Sequence, residues 1–102
     1  MTSTDLETIS FESRAATFGA LSDPIRLSIL DQLHRDQRCV CELQEALDIA
    51  PNLLSYHLRI LREAGLVAST RRGRWVDYRL ADDAATTVRS ALPAPLIDEV
   101  RR

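Results

Sequence analysis

The chain has 102 residues, a hydrophobic fraction of 45%, a charged fraction of 27% and a formal net charge of −2. This size predicts one small domain, and the composition is typical of a soluble globular protein. A membrane span is excluded because no apolar run is long enough to cross a bilayer. The N-terminus also lacks a basic, apolar signal sequence. A cytoplasmic location is therefore expected, in which Cys39 and Cys41 should be reduced thiols unless they take part in sensing.

The overall negative charge argues against a nucleic-acid partner, but the charge is unevenly distributed along the chain. Residues 52–80 contain six arginines and two acidic residues, which gives this segment a net charge of +4 and leaves −6 for the rest. Because phosphate contacts depend on the local charge, the basic segment is compatible with DNA binding.

The first part of the chain predicts two helices behind a polar arm. Residues 1–8 are expected to be disordered, and residues 9–21 have a helical pattern with apolar side chains on one side. The Ser-Asp-Pro sequence at 22–24 is a helix start signal, and a second helix is expected from Pro24 to about residue 34. This helix should expose Arg26 and bury four apolar residues, Ile25, Ile29, Leu30 and Leu33.

The middle of the chain predicts a helix-turn-helix. A short helix is expected over residues 40–47, and a tight turn at 48–50 leads into an amphipathic helix over 51–63. The buried face of the second helix should consist of leucines, namely Leu53, Leu54, Leu58 and Leu61. Its opposite face is polar, as it is in helices that read DNA.

Two strand-like runs, residues 66–70 and 75–80, follow this helix and are joined by an arginine-rich turn at 71–74. A further helix is expected over 82–92, and prolines then allow only a short turn at 96–100. The predicted fold class is mainly α with a small β-hairpin, arranged as a single winged helix-turn-helix domain over residues 1–102.

Four segments in this order and spacing resemble the ArsR/SmtB family of metal-responsive bacterial repressors. They are ALSDPIRLSILDQL, CVCEL, LSYHLRILREAGLV and RRGRWVDYRL. The resemblance covers roughly residues 15–80 and implies a homodimer that binds double-stranded operator DNA and releases it when a metal or metalloid binds. It implies no enzymatic activity, no prosthetic group and no membrane partner.

The resemblance also implies which residues contact DNA. The helix that carries SYHLRILREAGL would enter the major groove, and the arginine-rich hairpin would lie on the backbone or in the minor groove. The candidate DNA-binding residues are Asn52, Ser55, Tyr56, His57, Arg59, Arg71, Arg72 and Arg74. For His57, packing in the core is an equal alternative.

The CVC segment resembles the inducer site of the arsenite-responsive branch, which implies that trivalent arsenic or antimony binds the thiolates of Cys39 and Cys41. Thiolates are the soft ligands that such ions prefer. Side chains two residues apart on an α-helix point to nearly opposite sides, at about 100° per residue. Inducer binding is therefore expected to unwind or reshape the turn around Cys39–Cys41, which opens the helix over 40–47, and so to misplace the DNA-reading face of the helix that follows.

Other interpretations of the cysteines stay open. The third cysteine that is common in this branch is replaced by Gln44, so the choice among arsenite, methylated arsenicals and antimony is undetermined, and His34 is a candidate third ligand. The same thiols could sense oxidants or cadmium, although a disulfide at this spacing would be strained, or could be inert. An enzyme with a cysteine nucleophile is the remaining alternative, but the chain lacks an evident oxyanion loop.

Overall fold

A computed structural model describes the backbone of residues 9–101 and the side chains of residues 9–97. The helices are α1 (Phe11–Leu21), α2 (Pro24–Gln32), α3 (Val40–Leu47), α4 (Pro51–Glu63), α5 (Ala84–Ala91) and α6 (Ala94–Arg101). The strands are β1 (Arg38–Cys39), β2 (Val67–Arg72) and β3 (Trp75–Leu80). The prediction of a mainly helical winged helix-turn-helix with a small hairpin is confirmed. The predicted N-terminal arm lies outside the described residues.

The start of α2 follows the predicted capping pattern. The Asp23 carboxylate accepts hydrogen bonds from the backbone N–H groups of Ile25 at 2.8 Å and Arg26 at 3.2 Å, and Pro24 occupies the first helical position. Partial desolvation raises the pKa of Asp23, but the two backbone hydrogen bonds and the nearby positive charge of Arg26 act together in the opposite direction, and this pKa lies below its ordinary value. The charged capping residue therefore fixes the turn between α1 and α2.

The sheet has three antiparallel strands in the order β1-β3-β2. In the hairpin, Arg72 pairs with Trp75, which leaves a two-residue turn at Gly73 and Arg74. Gly73 adopts a φ of +64°, which favours glycine. The strand β1 was not predicted, because two residues carry no periodic signal, yet it pairs Cys39 with Asp77 of β3.

The core is formed mainly where α2, α3 and α4 meet the base of the hairpin. Its fully buried large side chains are Ile29, Leu43, Leu54, Leu58, Leu61 and Leu66. The apolar face of α4 is therefore confirmed for three of its four predicted leucines. The prediction was wrong for Leu53, which is 39% exposed because it lies at the edge of the helical stripe.

The end of α4 is defined by a glycine in the left-handed conformation. Gly65 has a φ of +77°, and its N–H donates to the carbonyl of Arg62 while that of Leu66 donates to the carbonyl of Leu61. These two bonds form a Schellman motif, which satisfies carbonyls that the last helical turn leaves unpaired. The motif turns the chain directly from α4 into β2, so the hairpin has a fixed position beside the helix.

None of the helices in the described part of the chain has the length and apolar character needed to cross a membrane.

Candidate nucleic-acid interface and cysteine site

The outer face of α4 presents four of the predicted DNA-binding side chains. All four are exposed, namely Asn52, Ser55, Tyr56 and Arg59. They line one side of a groove of about 450 Å³ whose other walls include Val40, Arg62 and Tyr78. The Arg62 guanidinium donates to the Tyr78 hydroxyl at 3.1 Å and joins α4 to the middle of β3. The groove therefore runs between the helix and the hairpin, with polar donors along the helix side.

The start of α4 lacks a side-chain cap. Ala50 occupies the N-cap position and makes no side-chain hydrogen bond, while Pro51 takes the first helical position. The N–H groups of Leu53 and Leu54 donate to the carbonyl of Ala50, and the helix dipole leaves a partial positive charge at this end. This end is consequently suited to a phosphate group.

The structure does not bring His57 into this surface. Its side chain is 4% exposed and lies on the inner face of α4, which favours the alternative of packing in the core over contact with DNA. The physical reason is its position one residue before Leu58, at the border of the buried stripe. Its Nδ1 lies 2.9 Å from Nη1 of Arg26. A guanidinium can only donate, so Nδ1 is the acceptor in this pair.

Arg26 is the second residue whose predicted environment was wrong. It was expected to be exposed but is 9% exposed, because its guanidinium is used inside the protein. Nε donates to the carbonyl of Ala20 at 2.8 Å and Nη2 to that of Gly19 at 3.2 Å, both at the C-terminal end of α1. Together with the bond to His57, these contacts tie α1 and α2 to the middle of α4.

The hairpin tip carries the three predicted arginines on its exposed surface, but they differ in their partners. Arg72 is bidentate to Asp77, with Nε at 2.8 Å from Oδ2 and Nη2 at 3.1 Å from Oδ1. Arg71 makes only a long contact of 3.4 Å with the carbonyl of Gly73, and no hydrogen bond is found for Arg74 among the described residues. Arg71 and Arg74 are therefore the more available cations.

The Asp77 carboxylate is largely buried, whereas the side chain of Arg72 is 62% exposed. The hydrogen bonds from Arg72 lower the pKa of Asp77 below its ordinary value, and they outweigh the opposing effect of desolvation. Gln37 Nε2 adds a longer contact of 3.4 Å. This pair was not predicted, because the two residues face each other only once the hairpin register is set.

The cysteines flank the junction between β1 and α3. Cys39 is the N-cap residue of α3 and has extended backbone angles, φ −75° and ψ 160°, so it is not part of the helix, while Cys41 is in the first turn. A disulfide joins the two sulfurs across Cα atoms that are 5.3 Å apart. The expectation of two reduced thiols is therefore not met in this structure.

This geometry removes the reason for expecting the helix to unwind and leaves a reshaping of the turn as the expected change. The argument from 100° per residue applies only when both residues are helical, and the extended N-cap turns the Cys39 side chain back toward Cys41. Cys39 Sγ also accepts from the N–H of Glu42 at 3.3 Å, and the Glu42 carboxylate accepts from the N–H of Cys39 at 2.9 Å. The result is a capping box with sulfur in place of a hydroxyl.

The surroundings of the cysteines connect them to the groove and the hairpin. Cys39 is the strand partner of Asp77, and Val40, which lies between the cysteines, lines the groove below α4. Among the side chains that the structure describes, no group of three histidine, cysteine or acidic residues is arranged to hold a metal. The Gln44 amide donates to the carbonyl of Ile49, so this side chain is engaged in closing the turn after α3.

These features define a winged helix-turn-helix protein of the kind found in bacterial regulators. Residues 23–69 match the family model described as bacterial regulatory protein, arsR family. The arsenical resistance operon repressor of Escherichia coli is 38% identical over 95 residues, which cover 92% of this chain and 77% of the repressor. The chain belongs to the ArsR/SmtB family.

Two further comparisons agree with this assignment. The transcriptional repressor SmtB of Mycobacterium tuberculosis is 52% identical over 63 residues, which cover 62% of this chain and 47% of that protein. The chain thus spans about half the length of this relative. The crystal structure of the transcriptional repressor BigR from Xylella fastidiosa superposes with a TM-score of 0.66 at 32% identity, covering 89% of this chain and 90% of BigR. These relatives are regulators rather than enzymes, in agreement with the sequence-based prediction.

We expect the buried contacts of Arg26 to contribute strongly to stability. The substitution Arg26→Met keeps the length of the side chain but leaves two carbonyls and the Nδ1 atom of His57 without this donor, so it should cost about 3 kcal/mol. Urea denaturation at a fixed protein concentration measures the change. The control Arg35→Met, at an exposed arginine of the loop after α2, should stay within about 0.5 kcal/mol of the wild type. A loss below about 1 kcal/mol for Arg26→Met would contradict the assignment.

The pair of Arg72 and Asp77 predicts an acid-sensitive contribution to stability. Because the pKa of Asp77 is lowered in the folded state from 3.8, its contribution is present above pH 3.8 and is lost as the pH falls through the folded-state value. The variant Asp77→Asn should therefore be less stable than the wild type at pH 7, and the difference should shrink in strong acid. Thermal unfolding across this pH range tests it. The exposed-site control Asp82→Asn should show no such pH-dependent difference.

Proposed function

We propose that the protein is a DNA-binding transcriptional repressor that acts as a homodimer and is released from its operator by trivalent arsenic or antimony at Cys39 and Cys41. The observation that supports this most directly is the groove between α4 and the hairpin. Its helix side carries Asn52, Ser55 and Tyr56, and the arginines Arg59 and Arg62 of the same helix also line it. This is the surface by which winged helices hold a duplex.

In this proposal the two parts of the surface have different tasks. Asn52 has the amide geometry that pairs with adenine in the major groove, and the hydroxyls of Ser55 and Tyr56 suit bases or phosphates. Arg59 on α4 and Arg71 and Arg74 on the hairpin supply positive charge for the DNA backbone. Arg72 can contact a phosphate only by sharing its guanidinium with Asp77.

Dimer formation is supported by exposed apolar side chains on the first and last helices of the described chain, none of which lines the DNA groove. Phe11 is 79% exposed and Phe18, seven residues later on the same face of α1, is 37% exposed. Leu96 of α6 is 55% exposed. Large exposed apolar side chains grouped on terminal helices are typical of an interface. A dimer would also present two copies of α4 to the two halves of an operator.

The inducer site rests on the convergence of the two sulfurs. Two sulfur ligands of one arsenic atom lie about 3.5 Å apart, a distance that follows from metal–sulfur bonds near 2.3 Å. A backbone that lets the two sulfurs form a disulfide also lets them reach this spacing. Arsenite loses two hydroxyl groups as water when its arsenic forms bonds to two thiol sulfurs, and each thiol supplies one proton. The N-terminus of α3 favours the negatively charged thiolate that attacks.

Coupling to DNA follows from the neighbours of the cysteines. A bridging arsenic atom repositions the Cys39 sulfur that otherwise caps α3, which shifts Val40 in the wall of the groove and Cys39 beside Asp77. Inducer and operator then bind antagonistically, with the same coupling free energy in both directions.

Oxidant sensing is the second candidate, and the disulfide between Cys39 and Cys41 favours it. Two thiols and one molecule of a peroxide give the disulfide and two molecules of water or alcohol, and the peroxide is reduced. This reaction and arsenic binding use the same sulfurs, so they exclude one another at one site. Cadmium bound by the same thiolates is a further variant of the proposal.

The DNA interface is tested by fluorescence anisotropy with DNA from the region upstream of the gene. Wild-type binding should weaken steeply with salt, and Arg71→Ala or Arg74→Ala should each reduce the slope of log K against log salt by about 1, because each removes one phosphate contact. Arg35→Ala should leave both affinity and slope unchanged. Equal slopes for all four proteins would rule out the proposed interface.

The inducer is tested on the same complex by titrating arsenite in the presence of a thiol-free reductant. Wild-type protein should lose at least tenfold in operator affinity, and the double variant Cys39→Ser, Cys41→Ser should not respond. Serine is a good N-cap residue, so this variant keeps the cap of α3 and removes only the sulfur chemistry. If the variant and wild type respond alike, the inducer site lies elsewhere. If neither responds to arsenite but peroxide without reductant releases wild type alone, the oxidant proposal replaces it.

A further inference from the structure

The groove on the other side of the cysteines is the feature that the proposed function leaves unused. It shares Val40 with the wall of the DNA groove and is lined by Val40, Cys41, Gln44, Arg74, Trp75 and Val76. Its volume is about 440 Å³, whereas a cavity of about 150 Å³ already holds benzene. Three of its six residues, two valines and a tryptophan, are apolar, and Cys41 is the exposed member of the cysteine pair.

Trp75 is unusual in its position. It is the first residue of β3, directly after the two-residue turn, and 48% of its surface is exposed. It is also the only tryptophan of the chain. An exposed indole that lines the same groove as Cys41 offers an aromatic face to a group that is bound to this sulfur and lies in the groove.

The valence of arsenic indicates which kind of group could occupy this groove. Trivalent arsenic forms three bonds, and the two thiolates of Cys39 and Cys41 supply two of them. The third is to oxygen in arsenite and to carbon in an organic arsenical. Gln44 does not compete for this position, because its amide donates to the carbonyl of Ile49. The third substituent is therefore external to these side chains, and on the Cys41 side it meets the groove.

We propose that this groove receives the organic substituent of an arsenical, and that Trp75 makes the site selective for trivalent arsenicals that carry an aromatic ring. The inference rests on the proposed function, because it assumes arsenic at the two thiolates. A ring bonded to the arsenic stacks on the indole and is covered by Val40 and Val76, whereas the hydroxyl of arsenite gains nothing from these apolar walls.

Direct binding to the free, reduced protein separates this inference from DNA release. Isothermal titration calorimetry with phenylarsine oxide and with arsenite gives a ratio of the two dissociation constants for each variant. Any pair of thiols binds the organic arsenical more tightly than arsenite. The informative quantity is therefore the change in this ratio between the wild type and a variant. We expect Trp75→Ala to reduce the preference for the phenyl compound about tenfold and Trp75→Phe to retain most of it. The control Arg79→Ala, on β3 but outside the groove lining, should leave the ratio unchanged.

The single tryptophan supplies an independent readout. Phenylarsine oxide should shift the emission of Trp75 to shorter wavelength because the ring removes water from the indole, while arsenite should not. A ratio in Trp75→Ala within twofold of the wild-type value, or the absence of the emission shift, would overturn the inference. Binding of either compound without loss of operator affinity would instead contradict only the proposed release mechanism, and no binding of either would overturn both.

Discussion

The position of the DNA-reading helix depends on one buried guanidinium. Arg26 donates to the last carbonyls of α1 and to the ring of His57 on α4, so three helices share one donor group. A buried charge is costly unless every donor is satisfied, and here carbonyl oxygens and an imidazole nitrogen replace water. The arrangement also depends on Asp23, whose carboxylate caps α2 one turn away and holds the start of that helix against the end of α1. Polar contacts thus set the orientation of α4, and the leucines beneath it supply the apolar burial.

A second constraint joins the cysteines to the hairpin. The strand β1 is only two residues long, but it places Cys39 opposite Asp77, and Asp77 is the partner of Arg72 at the hairpin tip. Chemistry at the sulfur therefore occurs one strand away from a charge pair on the proposed DNA surface. Because packed and hydrogen-bonded elements move together rather than bend, a displaced Cys39 would act on β3 directly under the proposed function. The sequence suggested only a route through α3 to the helix that follows it.

The sequence was informative where a local pattern determines the structure. The leucine periodicity of α4, the Asp-Pro start of α2 and the glycine-containing hairpin turn each depend on neighbours within a few residues, and each was predicted at nearly its observed position. Three of the failures have a common cause. Arg26 with His57, Arg72 with Asp77, and β1 with β3 are contacts between residues that are distant in sequence or that depend on strand register, and a polar side chain gives no sign of such a partner. An arginine late in the first turn of a helix is usually exposed, so the buried role of Arg26 could not be predicted from its position.

The cysteine pair shows how a small change in local structure alters a mechanism. If Cys39 were helical, its sulfur would point away from Cys41, and binding one atom to both would require several hydrogen bonds to break. As an extended N-cap residue it already faces Cys41, so only the sulfur cap of α3 is exchanged when the thiols react. Under the proposed function the free energy of bond formation is then available for shifting Val40 and the β1–β3 pairing instead of for unwinding a helix. A ligand can shift the equilibrium between the DNA-binding state and the released state only by its difference in affinity for the two. Because this site forms without unfolding α3, none of that difference is spent on breaking helical hydrogen bonds, and all of it can act on the DNA-binding surface.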